Sequence, residues 1–380
     1  MGGKMNEEHA SRRQGMRYRR FAVYVITVLA VFVSGNYLIW KCATEDLLTK
    51  KYDGGDLARI GYLHGSKQYR KISNDLPVRH FGMKEYKGQP VDVMTVGDSF
   101  SLGGGEGKNC YYQDYLASLN NFNVLNVYPY PSDDHVMGFA PITTLSILYN
   151  SGYLDRIKPR YILIETVVRY SMRRFVAPFT FTRTDTRENI DKYYAKTTYS
   201  LDYLPKVTFV NQGNFKYLYY NLMYKFSDNA FRRLVYRRTL DRSFFSVKND
   251  RDLVFWGEDL QVVEKVNKES IKALNDNFNR LSDILAAKGI KLYFMPIVDK
   301  YDLYSDYIVD NPYPRNRFFE ELRALPRRYT LIDTKAILAE ELRKGEKDIF
   351  HADDSHWTWK ASKAVFEKVT FPGGHPAPAR

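Results

Sequence analysis

Residues 21–40, FAVYVITVLAVFVSGNYLIW, carry no charge. At about 1.5 Å of rise per residue, a helix of that length matches the roughly 30 Å hydrocarbon core of a bilayer. SRRQGMRYRR precedes the run, and Lys41, Glu45 and Asp46 follow it. Arginines clustered on one flank stay cytoplasmic, so the long C-terminal part is expected on the far side of the membrane. A cleaved leader fits poorly, because the run is long and no A-x-A-like site follows it. The start, MGGKMN, lacks the Ser or Thr of a myristoylation signal. The pattern therefore predicts a basic cytoplasmic tail over 1–20, a transmembrane signal anchor over 21–40 and a juxtamembrane linker with short helical pieces over 41–90.

A regular rhythm begins after residue 90. VDVMTVGDS, NVLNVYPY and RYILIETVV are short apolar runs that end in turn residues, with helical stretches CYYQDYLASL and 137–150 between them. Over 262–288 the apolar residues Val263, Val266, Ile271, Leu274, Phe278, Leu281, Ile284 and Leu285 fall at helical spacing. IKLYFMPIV and YTLID follow as two more strands, with helices expected at NRFFEELRAL, 334–344 and 358–369. Apolar strands alternating with helices predict an α/β fold whose mostly parallel sheet is covered on both faces, three layers in all. Residues 170–260 break the rhythm with aromatic and basic segments (YLYYNLMYKF, FRRLVYRRTL). They are expected to form a mostly helical insertion in the 91–380 domain.

Composition changes this picture little. With 31 Tyr and 23 Phe in 380 residues the chain has ample apolar surface to bury, so bulk disorder is excluded. Two cysteines, Cys42 and Cys110, make no disulfide framework. Net charge is +13, concentrated in the first 20 residues and in Arg173, Arg174, Arg232, Arg233, Arg237 and Arg238. No zinc-finger, homeodomain or RNA-binding signature accompanies them. A membrane-tethered basic face suits lipid headgroups or an anionic polymer better than nucleic acid, or is simply solvated.

The chemistry concentrates at two places. Ser99 directly follows the strand VMTVGD, and in parallel sheets reactive groups sit beyond the carboxyl ends of strands. A serine hydroxyl attacks an acyl carbon when a base takes its proton and donors hold the oxyanion. The Ser99 amide is placed to be one such donor, and GGGEG behind it allows close backbone approach. Near the C-terminus, HADDSHWTW sets His356 just after Asp353 and Asp354. A carboxylate beside a histidine fixes its tautomer, leaving the other ring nitrogen to accept the serine proton. His135 competes for the base role, and Asp133, Asp134 and His135 would be the only metal candidates. Without complementary ligands elsewhere, neither a metal nor a cofactor is expected.

GDSFS with a C-terminal Asp-His loop resembles the SGNH (GDSL-like) hydrolase superfamily. DSHWTWKAS is similar to the Asp-x-His-Trp-Thr motif of cell-envelope polysaccharide O-acetyltransferases, the alginate O-acetyltransferase-like and DHHW proteins. MPIVDKYDLYSDY looks like the same group's Pro…Lys…Tyr segment, and the resemblance covers roughly 91–170 and 262–369. It implies an SGNH-like fold with Ser99 as nucleophile and His356 as general base. Asp354, two before the histidine, is the implied acid in the narrower group; Asp353, three before it, is the one used by general SGNH hydrolases. No GxND block is found, Gly138 comes late after the second strand, and ETVVRYS resembles a Glu…Arg turn. Arg169 is thus a candidate for the oxyanion or for an anionic substrate group, or pairs with Glu165 structurally. Lys300 and Tyr304 are candidates to line the site or lie on the surface, and Trp357 to pack the histidine loop.

The function implied is extracytoplasmic serine O-acyl transfer, by way of an acyl-enzyme, to a polysaccharide of the envelope or one that is exported. The anchor would sit in a bacterial-type cytoplasmic membrane as a single pass, with a multispanning membrane O-acyltransferase as partner to bring the acyl group across. D-alanyl transfer is a related possibility, since teichoic-acid D-alanylation proteins share the layout. A carbohydrate esterase or deacetylase would use the same residues with water as acceptor. A non-catalytic assembly subunit would use only the basic insertion.

Overall fold

The computed structural model describes residues 2–49, 55–68, 76–104, 111–131, 140–197, 207–230 and 234–375. The N-terminal half contains α1 (Gly2–Ile39), α2 (Asp56–Gly61), β1 (Phe81–Gly82), β2 (Val93–Val96), α3 (Tyr112–Asn120), β3 (Val124–Val127), α4 (Pro141–Asn150) and β4 (Tyr161–Val167). The insertion contributes α5 (Val168–Phe175), α6 (Arg187–Lys196), α7 (Gln212–Met223), β5 (Val235–Thr239) and β6 (Asp252–Trp256). The chain then completes its sheet with α8 (Lys268–Ala286), β7 (Lys291–Ile297), β8 (Thr330–Leu331), α9 (Thr334–Arg343) and α10 (Trp359–Lys368).

Six strands form one sheet in the order β1-β3-β2-β4-β7-β8, every pair parallel. Strands β2, β3 and β4 are buried along their whole length, as expected of a sheet covered on both faces. The five apolar runs of the sequence are the four central strands β3, β2, β4 and β7 and the short edge strand β8. Between β2 and β4 the winding reverses direction, because β3 lies to one side of β2 and the later strands to the other. Crevices at such a switch point are where open α/β sheets bind ligands.

Helix α8 starts later than the apolar periodicity alone implies. Asn267 caps it, accepting from the Ser270 N–H at 2.8 Å, so Val263 and Val266 fall in the preceding turn. From there Ile271, Leu274, Phe278, Leu281 and Leu285 make one buried stripe. Phe278 stacks on Phe294 of β7 at 3.9 Å between ring centres. Among the described residues the insertion holds the helices α5, α6 and α7 and, after Met223, an antiparallel hairpin, β5–β6, with Val235 opposite Trp256. VYRRT mixes β-branched and aromatic residues with basic ones, and most of its positions are half-buried, as suits such a strand. The adjacent Arg237 and Arg238 break any period-2 alternation, so the sequence pattern carries no strand signal there. The hairpin also accounts for part of the basic excess, since Arg237 pairs with Asp252 at 2.6 Å and Arg238 with Asp228 at 3.4 Å. Arg232 and Arg233 lie outside the described residues.

Among the described residues one helix, in the span Arg12–Leu48, is long and apolar enough to cross a membrane. Phe21, Val23, Tyr24, Ile26, Val28 and Val31 on it are all exposed to the surroundings. Its far end is different: Asn36, Trp40, Ala43, Thr44 and Leu47 are buried, one helical face docked on the domain. A π-helical turn over Trp40–Thr44 lies in this docked part, the kind of local widening that re-aims a helix face.

Candidate functional site

Ser99 sits in the turn that leaves β2. Gly97 is required two residues earlier, because a Cβ there would overlap the Ser101 hydroxyl and the Glu165 carboxyl. Asp98 is buried and locks the turn to the end of β4: one carboxylate oxygen accepts from the Val167 N–H at 3.1 Å and from Arg174 Nη1 at 2.7 Å. Glu165 Oε2 accepts from the Asp98 and Ser101 N–H groups, both at 3.1 Å, and from Ser101 Oγ at 2.7 Å. Burial, with the Asp98 charge beside it, pushes the Glu165 carboxyl far above its ordinary value. Burial works the same way on Asp98, but the Arg174 charge and hydrogen bond overcome it and hold that group below its ordinary value. The two acids are thus pushed in opposite directions, as expected of a pair that shares a buried site.

The Ser99 hydroxyl is 2.7 Å from His356 Nε2, and His356 Nδ1 is 2.6 Å from Asp354 Oδ1. The same Asp354 oxygen accepts from the His356 N–H at 3.0 Å, which fixes backbone and ring together. Phe100 packs against the imidazole at 4.7 Å and edge-on to buried Trp357 at 5.4 Å. Gly104 lies against the serine–histidine contact, and a Cβ on it would overlap His356 Nε2. The Ser99 backbone N–H has no partner among the described residues, which leaves it free to meet an oxyanion.

Asp353 lies next to Asp354 in sequence and does something else. Its Oδ2 accepts from the Gly55 N–H at 3.2 Å and the Gln68 N–H at 3.1 Å, and its carbonyl from the Ala58 N–H at 2.9 Å. The segment 55–68 is thereby bound to the histidine loop, and Asp56 is carried to the site with it. Asp56 accepts from the Ser355 N–H at 2.8 Å and from Ser355 Oγ at 2.6 Å. Ligand atoms of Asp56, Asp354 and His356 all lie within 4.8 Å of one another. Both imidazole nitrogens already have partners, so the set is a hydrogen-bonded charge network rather than a free ligand cluster.

Beneath the loop, Lys300 is buried and its ammonium donates to three carbonyls, His351 at 2.6 Å, Ala352 at 3.1 Å and Asp354 at 3.0 Å. Burial lowers its pKa to about 8 against the pull of Asp353 and Asp354. Lys300 therefore shapes the loop from below, and it neither lines the site nor lies on the surface. Tyr304 is buried against Phe244 and Phe245. Arg169 pairs with Asp259 and Asp299, both at 3.3 Å, so its partner is not Glu165. Gly138, with Asp133, Asp134 and His135, lies outside the described residues. Two cavities lie near the Ser99 turn without Ser99 or His356 in their walls: one of about 270 Å³, lined by Leu102 of the turn with His80, Tyr111, Tyr128 and Tyr194, and one of about 320 Å³, lined by Arg174, which holds Asp98, with Arg173, Arg183 and Phe179.

Sequence reasoning missed Asp56, Gly55 and Gln68. Their only local signal was the turn punctuation of YDGGD, because a partner about 300 residues away leaves no trace in spacing.

Desolvation alone would lower the His356 pKa, but the charge and hydrogen bond of Asp354, together with nearby Asp56, outweigh both it and Arg169 and raise the ring above its ordinary value. A general base works only unprotonated, so reactivity should fall on acidification at a pH above the ordinary histidine value of about 6.5. Asp56→Asn removes one of the raising charges and should move that acidic limb to lower pH. A pH profile of kcat/KM for both forms checks this, and an unshifted limb would remove Asp56 from the network.

A parallel sheet in this order, with a serine at the end of its first central strand and an Asp-x-His loop after the last, has the layout of an SGNH hydrolase-like domain. Residues 252–370 match the family model ALGX, the SGNH hydrolase-like domain of the acetyltransferase AlgX. The match includes Asp354, His356 and Lys300 and begins well after Ser99. It supports an acetyltransferase-type role in general. No curated protein matches the chain.

Proposed function

We propose that the protein is a membrane-anchored, extracytoplasmic serine O-acyltransferase that moves an acyl group, acetyl by preference, to a hydroxyl of an envelope or exported polysaccharide. The observation that carries the reading is the continuous chain from Ser99 Oγ through His356 to Asp354, with contacts of 2.7 and 2.6 Å. In the first half-reaction Ser99 Oγ bonds to the acyl carbon while His356 Nε2 takes its proton. The donor's leaving group departs with that proton and an ester on Ser99 remains. In the second half, a sugar hydroxyl gives its proton to His356 and attacks the ester, and Ser99 regains the proton as the acylated sugar leaves. The Ser99 N–H supplies one oxyanion donor in both halves. The tyrosine-lined cavity beside the Ser99 turn offers apolar faces of the kind that hold sugar rings. A multispanning membrane O-acyltransferase is the proposed source of the acyl group, because a single helix provides no path for it.

The test uses the full chain in detergent with an acetyl-ester reporter, with and without oligosaccharide acceptors. An acetyl group on Ser99 by mass spectrometry, and its appearance on sugar, is the expected result. Product formed with water but never with sugar would make the protein an esterase. No Ser99-dependent turnover or acyl-enzyme would leave a non-catalytic assembly subunit.

A further inference from the structure

Helix α7 has two unlike faces. The polar face is bound: the Asn214 amide donates to Asn36 Oδ1 of α1 at 2.9 Å, and its oxygen accepts from Thr44 Oγ1 at 2.5 Å. Asn221 Nδ2 donates to the Tyr62 carbonyl at 2.9 Å. The opposite face carries Phe215, Leu218, Tyr219 and Leu222, continued past the helix end by Phe226, and all five are exposed. These positions follow the i, i+3, i+4, i+7, i+11 spacing of a single helical stripe. Soluble proteins seldom leave so continuous an apolar face to water.

Its position says what covers it. The Phe215 ring stacks on Phe32 of α1 at 6.1 Å, and Phe209 meets Tyr37 edge-on at 6.1 Å. Phe32 precedes Lys41 by nine residues, which is roughly 13 Å along a helix axis. It thus lies within the uncharged run and not at its rim. With that run in a bilayer, the first turn of α7 is held inside the outer leaflet, and Lys216 and Lys225 are near enough to reach the headgroups.

We infer that α7 is a membrane-embedded interfacial helix whose stripe from Phe215 to Phe226 lies in the lipid of the outer leaflet. The inference rests on the membrane-anchor reading above. It implies that the catalytic loop is held at a set height over the bilayer. Asn221 of α7 binds the Tyr62 carbonyl, and the segment 55–68 that contains Tyr62 also binds Asp353 and Asp354.

The full chain with Cys42→Ser and Cys110→Ser is reconstituted in phosphatidylethanolamine–phosphatidylglycerol vesicles. It carries a single spin label at Leu29→Cys, Leu218→Cys, Leu222→Cys or, as an exposed control on α8, Lys272→Cys. Collision with oxygen, which partitions into lipid, is compared with collision with a water-soluble nickel chelate. The expected oxygen-to-nickel ratios at 218 and 222 are several-fold above that at 272, as at 29. A lipid signal at 29 with an aqueous one at 218 and 222 would overturn the inference and leave the anchor standing. An aqueous signal at 29 would overturn the anchor and the inference with it. Shielding of 218 and 222 from both reagents would mean a protein contact covers the stripe, which also overturns it.

Discussion

Ser99→Ala should lower acyl transfer by about 10⁴-fold or more, and His356→Ala should lower it by a similar factor. The two residues act as one unit: the hydroxyl is a poor nucleophile until the imidazole 2.7 Å away takes its proton. Combining the substitutions should therefore add almost nothing to either alone. Steady-state rates on an acetyl ester, with mass spectrometry for the acyl-enzyme, check both statements. Folding should survive Ser99→Ala, because the turn is held by Asp98 and Glu165 through backbone groups and Ser101, not by the Ser99 hydroxyl. A Ser99→Ala protein with normal turnover would mean that another group reacts. Multiplicative losses in the double variant would mean that the serine and the histidine serve different steps.

The parts of this site that were legible in the sequence are those whose signal is local. VMTVGDS shows strand, turn and nucleophile within seven residues, and DDSHWTW places acid and base on one loop. The strand runs were equally plain, since an apolar stretch bounded by turn residues has few other uses in an α/β chain. What stayed hidden depends on long-range partners. Lys300 resembled a surface lysine, yet it is buried under three carbonyls of the histidine loop. Arg169 looked like the partner of Glu165 four residues earlier, as helix spacing invites. The chain instead passes from strand to helix between them, and Arg169 turns to Asp259 and Asp299. The segment after the anchor reads as a linker by composition. Its backbone N–H groups nonetheless bind the two adjacent aspartates, and no pattern within 41–90 announces a partner so distant in sequence.

Those two aspartates give the second large effect. Asp354→Asn should cut kcat/KM by about 10⁴-fold, as expected when the residue that sets a catalytic imidazole's tautomer becomes an amide. An amide N–H facing His356 Nδ1 would place the ring proton on Nε2, where it blocks acceptance of the Ser99 proton. Raising the pH cannot restore the rate, because the fault lies in which nitrogen holds the proton and not in how many are held. Asp353→Asn should behave differently. An asparagine oxygen can still accept from the Gly55 and Gln68 N–H groups, so the rate should change little. The cost should fall on stability, about 1–3 kcal/mol for weakened buried hydrogen bonds to a charged group, read as a lower unfolding midpoint. Measuring kcat/KM and thermal unfolding for both variants separates the assignments. The reverse pattern, with Asp353→Asn inactive and Asp354→Asn active, would make the carboxylate three before the histidine the working acid. The 2.6 Å contact of His356 with Asp354 would then be a resting arrangement, which the loop must leave before the serine can react.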